Sequence, residues 1–327
     1  MVSRGSLDGL SGATVLVTGA SGLVGTYLLA CLGAVNDVSG PLKIHAQSVS
    51  DLPSHLGPIL ARARAQHLRA DLASFQDYER LPTADVIIHA AGYAQPLRFM
   101  TNPAATLQVA SAATLALLQR VRPGGHFSFL SSAQVYTGLG DVLCHESMVG
   151  TTTPDHPRAS YIEGKRAGEA ACHAFRARNL HATAARLGDV YGPGTRPHDK
   201  RALNSFIEQA LTTGEVRLLD SGAALRSYGY VADAVEMLFN VLLRGRETVY
   251  NVGGQSLTTI RDLASSIGGL TKSPVHAGPP SAGVAGAPDV LRLDLTRYAS
   301  EFGLPRHREL SSGLEATIDW QRGLYNS

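Results

Sequence analysis

One stretch constrains the fold of this chain more than any other: a short apolar run that passes directly into a glycine-rich turn and then into a helical pattern. The run is TVLVT at residues 14–18, and the turn is GASGLVG at residues 19–25. Gly19 permits a tight turn, Gly22 lets the backbone approach a pyrophosphate closely, and Gly25 allows close helix packing. The helix N-terminus then faces the phosphate charge. The stretch therefore predicts a strand, a turn and a helix that bind a dinucleotide.

The alternation of strand and helix continues beyond this unit. Further strands are predicted at 42–46, up to 70–72, at 86–89 and at 127–130, and the apolar spacing over 103–121 predicts one amphipathic helix that Gly124 and Gly125 end. This order predicts an α/β fold, a Rossmann-like doubly wound parallel sheet with a smaller C-terminal substrate-binding lobe.

We expect a dinucleotide-binding domain at 1–188, completed by about 226–256, and a substrate-binding lobe at 189–225 and 257–327. Residues 274–288 are rich in Pro, Gly, Ala and Ser and lack periodicity, so they are either a flexible surface loop or a lid.

The second strand ends without the acidic residue that holds a free ribose 2′-hydroxyl, since it runs His45-Ala46-Gln47-Ser48. No Arg stands there to mark a 2′-phosphate, so NAD is expected and NADP stays open. Asp71 is either a partner of the adenine amino group or a helix cap. The predicted cofactor-binding residues are Gly19, Ser21, Gly22, Leu23, Val24, Gln47, Asp71, Leu72, Ala90, Ala91, Gly92, Tyr161 and Lys165.

Tyr161 and Lys165 lie four residues apart, which places both on one helix face. A nearby ammonium group favours the phenolate and lowers the pKa of a tyrosine, so that Tyr161 could take a proton from a substrate hydroxyl. The strand at 127–130 delivers Ser132 to the sheet edge where parallel sheets bind ligands.

Composition narrows the class of partner. The 327 residues carry a formal net charge of +2 and are 44% hydrophobic, with Lys and Arg scattered along the chain. We expect a small-molecule partner, no nucleic acid and no membrane. The three widely spaced cysteines suggest neither disulfides nor a metal site, and Met1 to Leu10 does not resemble a signal peptide. A cytoplasmic location is the simplest expectation.

These motifs together resemble the extended short-chain dehydrogenase/reductase family, in its nucleotide-sugar epimerase, dehydratase and decarboxylase branch. The shared elements include the glycine turn, the run SSAQVY at 131–136, Tyr161-x-x-x-Lys165 and RSYGYVAD at 226–233. Segments 95–103 and 156–166 look most similar to UDP-glucuronate decarboxylases. The resemblance implies a catalytic set of Ser132, Tyr161 and Lys165. It also implies substrate contacts at Arg98, Gln134, Asp189, Arg201 and Arg226, of which Arg226 would bind a diphosphate. Arg292, two residues before Asp294, is either a second phosphate contact or an arginine on a surface strand.

Three positions depart from the pattern of the branch. Gln134 replaces the Glu of the decarboxylases and the acidic pair of the dehydratases, whereas Ser-Ala-x-Val-Tyr is typical of C4 epimerases. Asp189 and Ala110 each replace an Asn. We therefore expect an epimerase or decarboxylase that acts through a 4-keto intermediate. The alternatives are a net oxidoreductase or dehydratase, and a sensor that binds NAD(P) without catalysis.

The resemblance also implies a homodimer, formed by the helices at 103–121 and 161–177. Cys144 and Cys172 are interpreted as packing or surface residues, against a role as acid or base in a C3/C5 epimerisation.

Overall fold

A computed structural model describes residues 10–37, 40–279 and 285–325. The expectation that the N-terminal segment is not a signal peptide concerns residues 1–9, which lie outside the described residues. The segment 274–288, predicted as a surface loop or a lid, lies partly outside them, at 280–284. The strands are β1 Thr14–Thr18, β2 Lys43–Ser48, β3 Gln66–Arg69, β4 Ala84–His89, β5 Val121–Ser132, β6 Leu143–Cys144, β7 His181–Leu187, β8 Asp189–Tyr191, β9 Val216–Arg217, β10 Leu225–Tyr230, β11 Val249–Val252, β12 Ser256–Thr259, β13 Val275–His276 and β14 Val290–Leu293. The helices are α1 Leu23–Asn36, α2 Gly57–Ala63, α3 Pro96–Thr101, α4 Pro103–Ala110, α5 Ala112–Leu118, α6 Ala159–Arg176, α7 Ala202–Thr212, α8 Val231–Arg244, α9 Ile260–Thr271, α10 Thr296–Phe302 and α11 Leu310–Tyr325.

The main sheet has seven strands in the order β11-β7-β5-β4-β1-β2-β3, and all of its pairings are parallel. Val15 and Val17 belong to the hydrophobic core that includes α1 and α8, whereas Leu16 belongs to the core that includes α4, α5 and α6. A strand buried on both faces needs a continuous apolar run, which explains TVLVT. The predicted doubly wound parallel sheet is confirmed.

A second sheet lies beside the first. Its strands run in the order β12-β10-β14-β6, and β8 pairs with β10. A third core joins α7, α9 and α11 to Tyr191, Tyr228 and Tyr230. Strand β10 thus belongs to this second sheet, while α8 and β11 return the chain to the main sheet. The division into a cofactor domain and a substrate lobe stays a prediction.

The single helix predicted over 103–121 is two helices, α4 and α5, interrupted at Ser111. Side chains form hydrogen bonds with the backbone carbonyl groups around the break. Ser111 Oγ donates to Leu107 O at 2.6 Å, and Thr114 Oγ1 donates to Ala110 O at 2.7 Å. His89 Nε2 lies 3.0 Å from Val109 O. These contacts explain a break that apolar spacing does not indicate. The prediction for Gly124 and Gly125 is also wrong, because both lie within β5.

Candidate active site

The glycine turn after β1 packs so closely against neighbouring backbone that it leaves no room for side chains at two of its glycines. Gly19 has a φ of +67°, and a Cβ there would lie 2.6 Å from Ala91 N. A Cβ at Gly25 would lie 2.3 Å from Gly19 O. Side chains at these positions are therefore excluded, and the bare turn before α1 fits the pyrophosphate of a dinucleotide.

A cleft of about 660 Å³ opens from this turn along the carboxyl ends of the strands. It brings together residues that lie far apart in sequence, from the glycine turn to β10. All predicted cofactor-binding and catalytic residues line it, and so do five of the six predicted substrate-binding residues, Arg98, Gln134, Asp189, Arg201 and Arg226.

The sixth predicted substrate contact, Arg292, does not line this cleft. Neighbouring residues on a strand point to opposite faces. Leu291 and Leu293 line the cleft, so Arg292 faces away from it and pairs with Asp141 at 3.2 Å. Its environment is that of a surface strand residue.

At the adenosine end, the side chain of Gln47 is already engaged. Its Oε1 accepts the Gly19 N–H at 3.1 Å, and its Nε2 donates to Ala70 O at 2.6 Å. The residue is 2% exposed. The Gln47 side chain thus links the glycine turn to the segment that follows β3. Asp71 lines the cleft, and its Oδ1 accepts the Ala73 N–H at 2.9 Å within a turn. The helical turn that follows begins at Phe75 with Ser74 as its N-cap, so Asp71 does not cap it, and its contact with adenine stays a prediction.

Ser132, Tyr161 and Lys165 meet at the centre of the cleft. Ser132 ends β5, and its Oγ accepts the Gln134 N–H at 3.2 Å. Tyr161 and Lys165 lie one turn apart on α6, and both are buried. The Lys165 ammonium donates to Leu130 O at 2.6 Å and lies 4.7 Å from the centre of the Phe129 ring.

The electrostatics of Tyr161 differ from the sequence-based expectation. Burial raises the pKa of Tyr161, and the groups that counteract this are the Ser132 hydroxyl, Arg201 and Arg158, while Asp189 raises the pKa further. Burial also lowers the pKa of Lys165 to about 8. Arg201 and Arg158 favour the phenolate, whereas the Lys165 ammonium is bonded to strand β5.

The far side of the cleft is rich in charge. Arg201 forms a pair with the buried Asp199, with a closest contact of 2.6 Å. The Arg226 guanidinium donates to Leu225 O at 2.8 Å and to Asp289 O at 3.1 Å. Asp189 lies deep in the cleft but is open to solvent there, and no hydrogen bond or close ion pair engages its carboxylate within the described ranges. Burial by the surrounding protein raises the Asp189 pKa, and Arg226, Arg201 and Arg158 oppose that rise.

Two residues that the sequence did not single out complete the site. Phe99 stacks on Tyr161, with ring centres 4.5 Å apart and an angle of 17° between planes. Arg158, which is 4% exposed, donates from Nη1 to Gln134 Oε1 at 3.1 Å and from Nε to Ala285 O at 3.1 Å. Burial is the main cause that lowers the Arg158 pKa, to about 10. Both residues lie in segments 95–103 and 156–166, so the resemblance was the available signal.

Cys144 and Cys172 lie outside the cleft. Cys144 and Cys172 are buried, their thiols lie near the carbonyls of Val142 and Thr183, and burial raises the pKa of both. Neither lines the cleft. In the described part of the chain, no group of three or more His, Cys, Asp or Glu is arranged to hold a metal ion. Likewise, no helix over those residues is long and apolar enough to cross a membrane.

The fold and this cleft define a class: nucleotide-binding proteins of the Rossmann type with a Ser, Tyr and Lys set at the sheet edge. The sequence profile described as the NAD dependent epimerase/dehydratase family matches residues 15–253. The chain belongs to that family.

Individual relatives agree with this assignment. UDP-glucuronic acid decarboxylase 6 of Arabidopsis thaliana is 29% identical over 81% of this chain and 76% of its own length. UDP-glucuronic acid decarboxylase 1 of Danio rerio is 32% identical over 59% of this chain, and the match spans only 46% of that relative. A solved structure of MoeE5 in complex with UDP-glucuronic acid and NAD is 25% identical, with a TM-score of 0.78, and the match covers 95% of this chain and 99% of that one.

Proposed function

We propose that this protein modifies the sugar of a nucleotide sugar by transient oxidation at C4, with NAD as the cofactor. The observation that carries this proposal is the convergence of Ser132, Tyr161 and Lys165 in the cleft that begins at the glycine turn. A sensor that only binds a dinucleotide needs no activated phenol. The relatives named as decarboxylases, and MoeE5 with its bound UDP-glucuronic acid, support a nucleotide-sugar substrate.

In this proposal the side chains divide the chemistry among them. Residues of the glycine turn, together with Ala90, Ala91 and Gly92, would hold NAD, which would supply the hydride acceptor. Tyr161, as the phenolate, removes the proton from the C4 hydroxyl, and Ser132 donates a hydrogen bond to the same substrate oxygen. Lys165 would hold the cofactor ribose and stabilise the phenolate. The arginines of the cleft would bind the diphosphate, with Arg226 as the main contact.

The fate of the 4-keto sugar depends on the residues around it. A 4-keto group acidifies C3 and C5, and it makes a C6 carboxylate a β-keto acid, so epimerisation and decarboxylation are both accessible. Gln134 cannot exchange a proton, and its amide oxygen accepts a bond from Arg158. This contact favours epimerisation at C4, which needs only oxidation, turning of the ketone and reduction. The likeness of segments 95–103 and 156–166 to decarboxylases keeps decarboxylation as the second candidate.

The test is a screen of UDP-glucuronate, UDP-glucose and other nucleotide sugars with the cofactor-loaded enzyme, analysed by mass spectrometry and chromatography. An unchanged mass with a new chromatographic peak identifies epimerisation. Loss of carbon dioxide identifies decarboxylation, and loss of water would identify the dehydratase alternative. If no nucleotide sugar reacts and none protects the protein against thermal unfolding, the proposed function fails.

The same proposal includes a homodimer formed by α4, α5 and α6. Leu107 and Leu115 are 41% and 45% exposed on α4 and α5, and Ala167, Ala170 and Ala174 are exposed on α6. Such an apolar face suits a second copy of the chain. Light scattering at micromolar concentration should give the mass of two chains, and Leu115→Glu should reduce it to one. A single-chain mass for the unaltered protein would contradict the dimer.

A further inference from the structure

A buried charge network lies beside the cleft, on the same face of α6 as Tyr161 and Lys165. Glu169 follows Lys165 by one helical turn and is 7% exposed. Its Oε1 accepts bonds from Ser131 Oγ at 2.5 Å and from Arg186 Nε at 2.9 Å, and its Oε2 accepts one from Arg186 Nη2 at 2.7 Å. Both carboxylate oxygens are therefore fixed in place. None of Glu169, Ser131 or Arg186 was among the residues predicted from the sequence.

Two of these contacts connect the two elements that carry the catalytic residues. Ser131 immediately precedes Ser132 at the end of β5, and its hydroxyl is bonded to Glu169 on α6. One residue earlier, Leu130 O accepts a bond from Lys165 Nζ at 2.6 Å. The position of Ser132 relative to Tyr161 therefore depends on two ties between strand and helix, and Glu169 forms one of them.

Arg186 binds the Glu169 carboxylate and also forms hydrogen bonds with two backbone carbonyl groups. It is 3% exposed, and its Nη1 donates to Glu146 O at 3.1 Å and to Met148 O at 2.8 Å. The guanidinium also lies 4.8 Å from the centre of the Tyr136 ring. Glu169 thus sits between two buried cations, Arg186 in direct contact and Lys165 one turn away.

The charged and titratable groups around Lys165 are few. Glu169 and Tyr161 share its helix, and His89 faces it from β4. Burial lowers the pKa of His89 to about 3, so that this imidazole is neutral. Glu169 is therefore the anion that compensates the Lys165 charge, and it opposes the burial that lowers the Lys165 pKa. The groups that face Glu169 itself are Arg186 on β7, Ser131 on β5, and Lys165 and Cys172 on α6.

We propose that Glu169 is a positioning residue, which fixes the strand end that carries Ser132 against α6 and compensates the buried charge of Lys165. The assignment rests on the proposed function, since it assumes that Ser132, Tyr161 and Lys165 act together. The role is distinct from a merely structural ion pair, because it links the charge of Glu169 to the protonation of Lys165.

The protonation of Lys165 can be followed without a substrate. The sequence contains four lysines, at 43, 165, 200 and 272. NMR of protein labelled with ¹³C at the lysine Cε atoms therefore gives four signals, and Lys165→Arg identifies the one of interest. Its midpoint should lie near pH 8 in the unaltered protein. Glu169→Gln should lower that midpoint by about one pH unit, because the compensating charge is lost.

Three further variants make the result decisive. Glu169→Asp retains the charge and should keep the midpoint near that of the unaltered protein. Glu163→Gln, on the same helix but paired with Arg166 outside the cleft, should leave it unchanged. If Glu169→Gln does not fold, the double variant Glu169→Gln/Arg186→Gln removes the buried pair as a unit. Its downward shift should be smaller than that of Glu169→Gln, because the loss of the Arg186 cation offsets part of the lost compensation. An unchanged Lys165 midpoint in Glu169→Gln, or in the double variant if the single variant does not fold, would refute the proposed charge compensation.

Ser131→Ala tests the tie between strand and helix, because it removes the bond to Glu169 and keeps the charge. We expect kcat to fall roughly 10-fold, as for a lost positioning contact, with KM and the Lys165 midpoint unchanged. An unchanged kcat would refute the positioning role. If no nucleotide sugar turns over at all, the proposed function fails, while the NMR titration still decides the role of Glu169.

Discussion

The two sides of the cleft are built by opposite means. On the cofactor side, bare backbone and small residues set the shape, and a Cβ at Gly19 or Gly25 would overlap neighbouring backbone atoms. On the substrate side, long charged side chains set it, with Asp189 among Arg158, Arg201 and Arg226. The comparison teaches that cofactor binding depends on the absence of side chains from the glycine turn. Substrate binding depends instead on the balance between the Asp189 carboxylate and the three arginines. Substitutions on the cofactor side should weaken binding strongly, and substitutions on the substrate side should change it by a smaller factor.

The largest effect is expected where the two sides meet. Tyr161→Phe keeps the ring that stacks on Phe99 but removes the group that transfers the proton. Turnover should fall by roughly 10³-fold, since proton transfer by a positioned side chain contributes about that much. Cofactor binding, measured by calorimetry, should persist. Full turnover in this variant would remove Tyr161 from the catalytic set.

A substitution on the cofactor side should have the next largest effect. Gly25→Ala places a methyl group 2.3 Å from Gly19 O, and the turn must shift to relieve the overlap. An overpacking cost of about 3 kcal/mol corresponds to a loss of cofactor affinity of roughly 10²-fold. Gly269→Ala is the matched control, because a Cβ there meets nothing within 4 Å and cofactor affinity should stay the same. Equal affinities for the two variants would contradict binding by exclusion.

On the substrate side, Asp189→Asn should strengthen binding. The carboxylate offsets part of the positive potential of three arginines, so its loss should raise the affinity for UDP by roughly 10-fold. Because the Asp189 pKa is raised, affinity in the unaltered protein should also rise as the pH falls, and this dependence should vanish in the variant. Asp141→Asn, which removes a charge outside the cleft, should leave UDP binding unchanged. Weaker UDP binding by Asp189→Asn would show that the carboxylate contacts a donor on the ligand.

The last effect concerns stability and leaves binding and turnover at neutral pH unchanged. Burial lowers the pKa of His89 to about 3 and of His181 to about 4, from an ordinary value of 6.5. A group with a depressed folded pKa contributes stability above its unfolded pKa, so this contribution is complete above pH 6.5 and is lost as the pH falls toward about 4. Thermal unfolding should therefore begin at lower temperature across that range. His181→Leu should flatten the dependence, and an equal slope in this variant would contradict the assignment.

The sequence predicted the cofactor side better than the substrate side, for a physical reason. The strand-turn-helix unit is local: TVLVT, the turn and α1 follow one another, so spacing alone indicates their contacts. Tyr161 and Lys165 are local in the same sense. The second sheet is built from short strands, such as β6 and β8, whose partners lie far away in sequence. Periodicity cannot indicate such pairings.

The individual differences between expectation and structure have the same origin. Arg292 was expected in the cleft because of its charge, but strand alternation turns it toward Asp141. The interruption at Ser111 depends on His89, which is 20 residues from the carbonyl it contacts. Glu169 lies on a helix that the sequence predicts, but its partners Ser131 and Arg186 lie on strands β5 and β7. These features depend on which elements become neighbours after folding.

The close packing of α6 has a consequence for how this site could change over evolutionary time. A Cβ at Gly164 would lie 3.0 Å from Ala110 Cβ, and one at Gly168 would lie 2.4 Å from the Phe129 ring. A larger side chain at Gly168 would overlap the Phe129 ring, and one at Gly164 would require Ala110 to move, so either change would displace the helix that carries Tyr161 and Lys165. Changes of reaction on this scaffold are therefore expected at positions that line the cleft, such as Gln134 and Asp189, rather than on the inner face of α6.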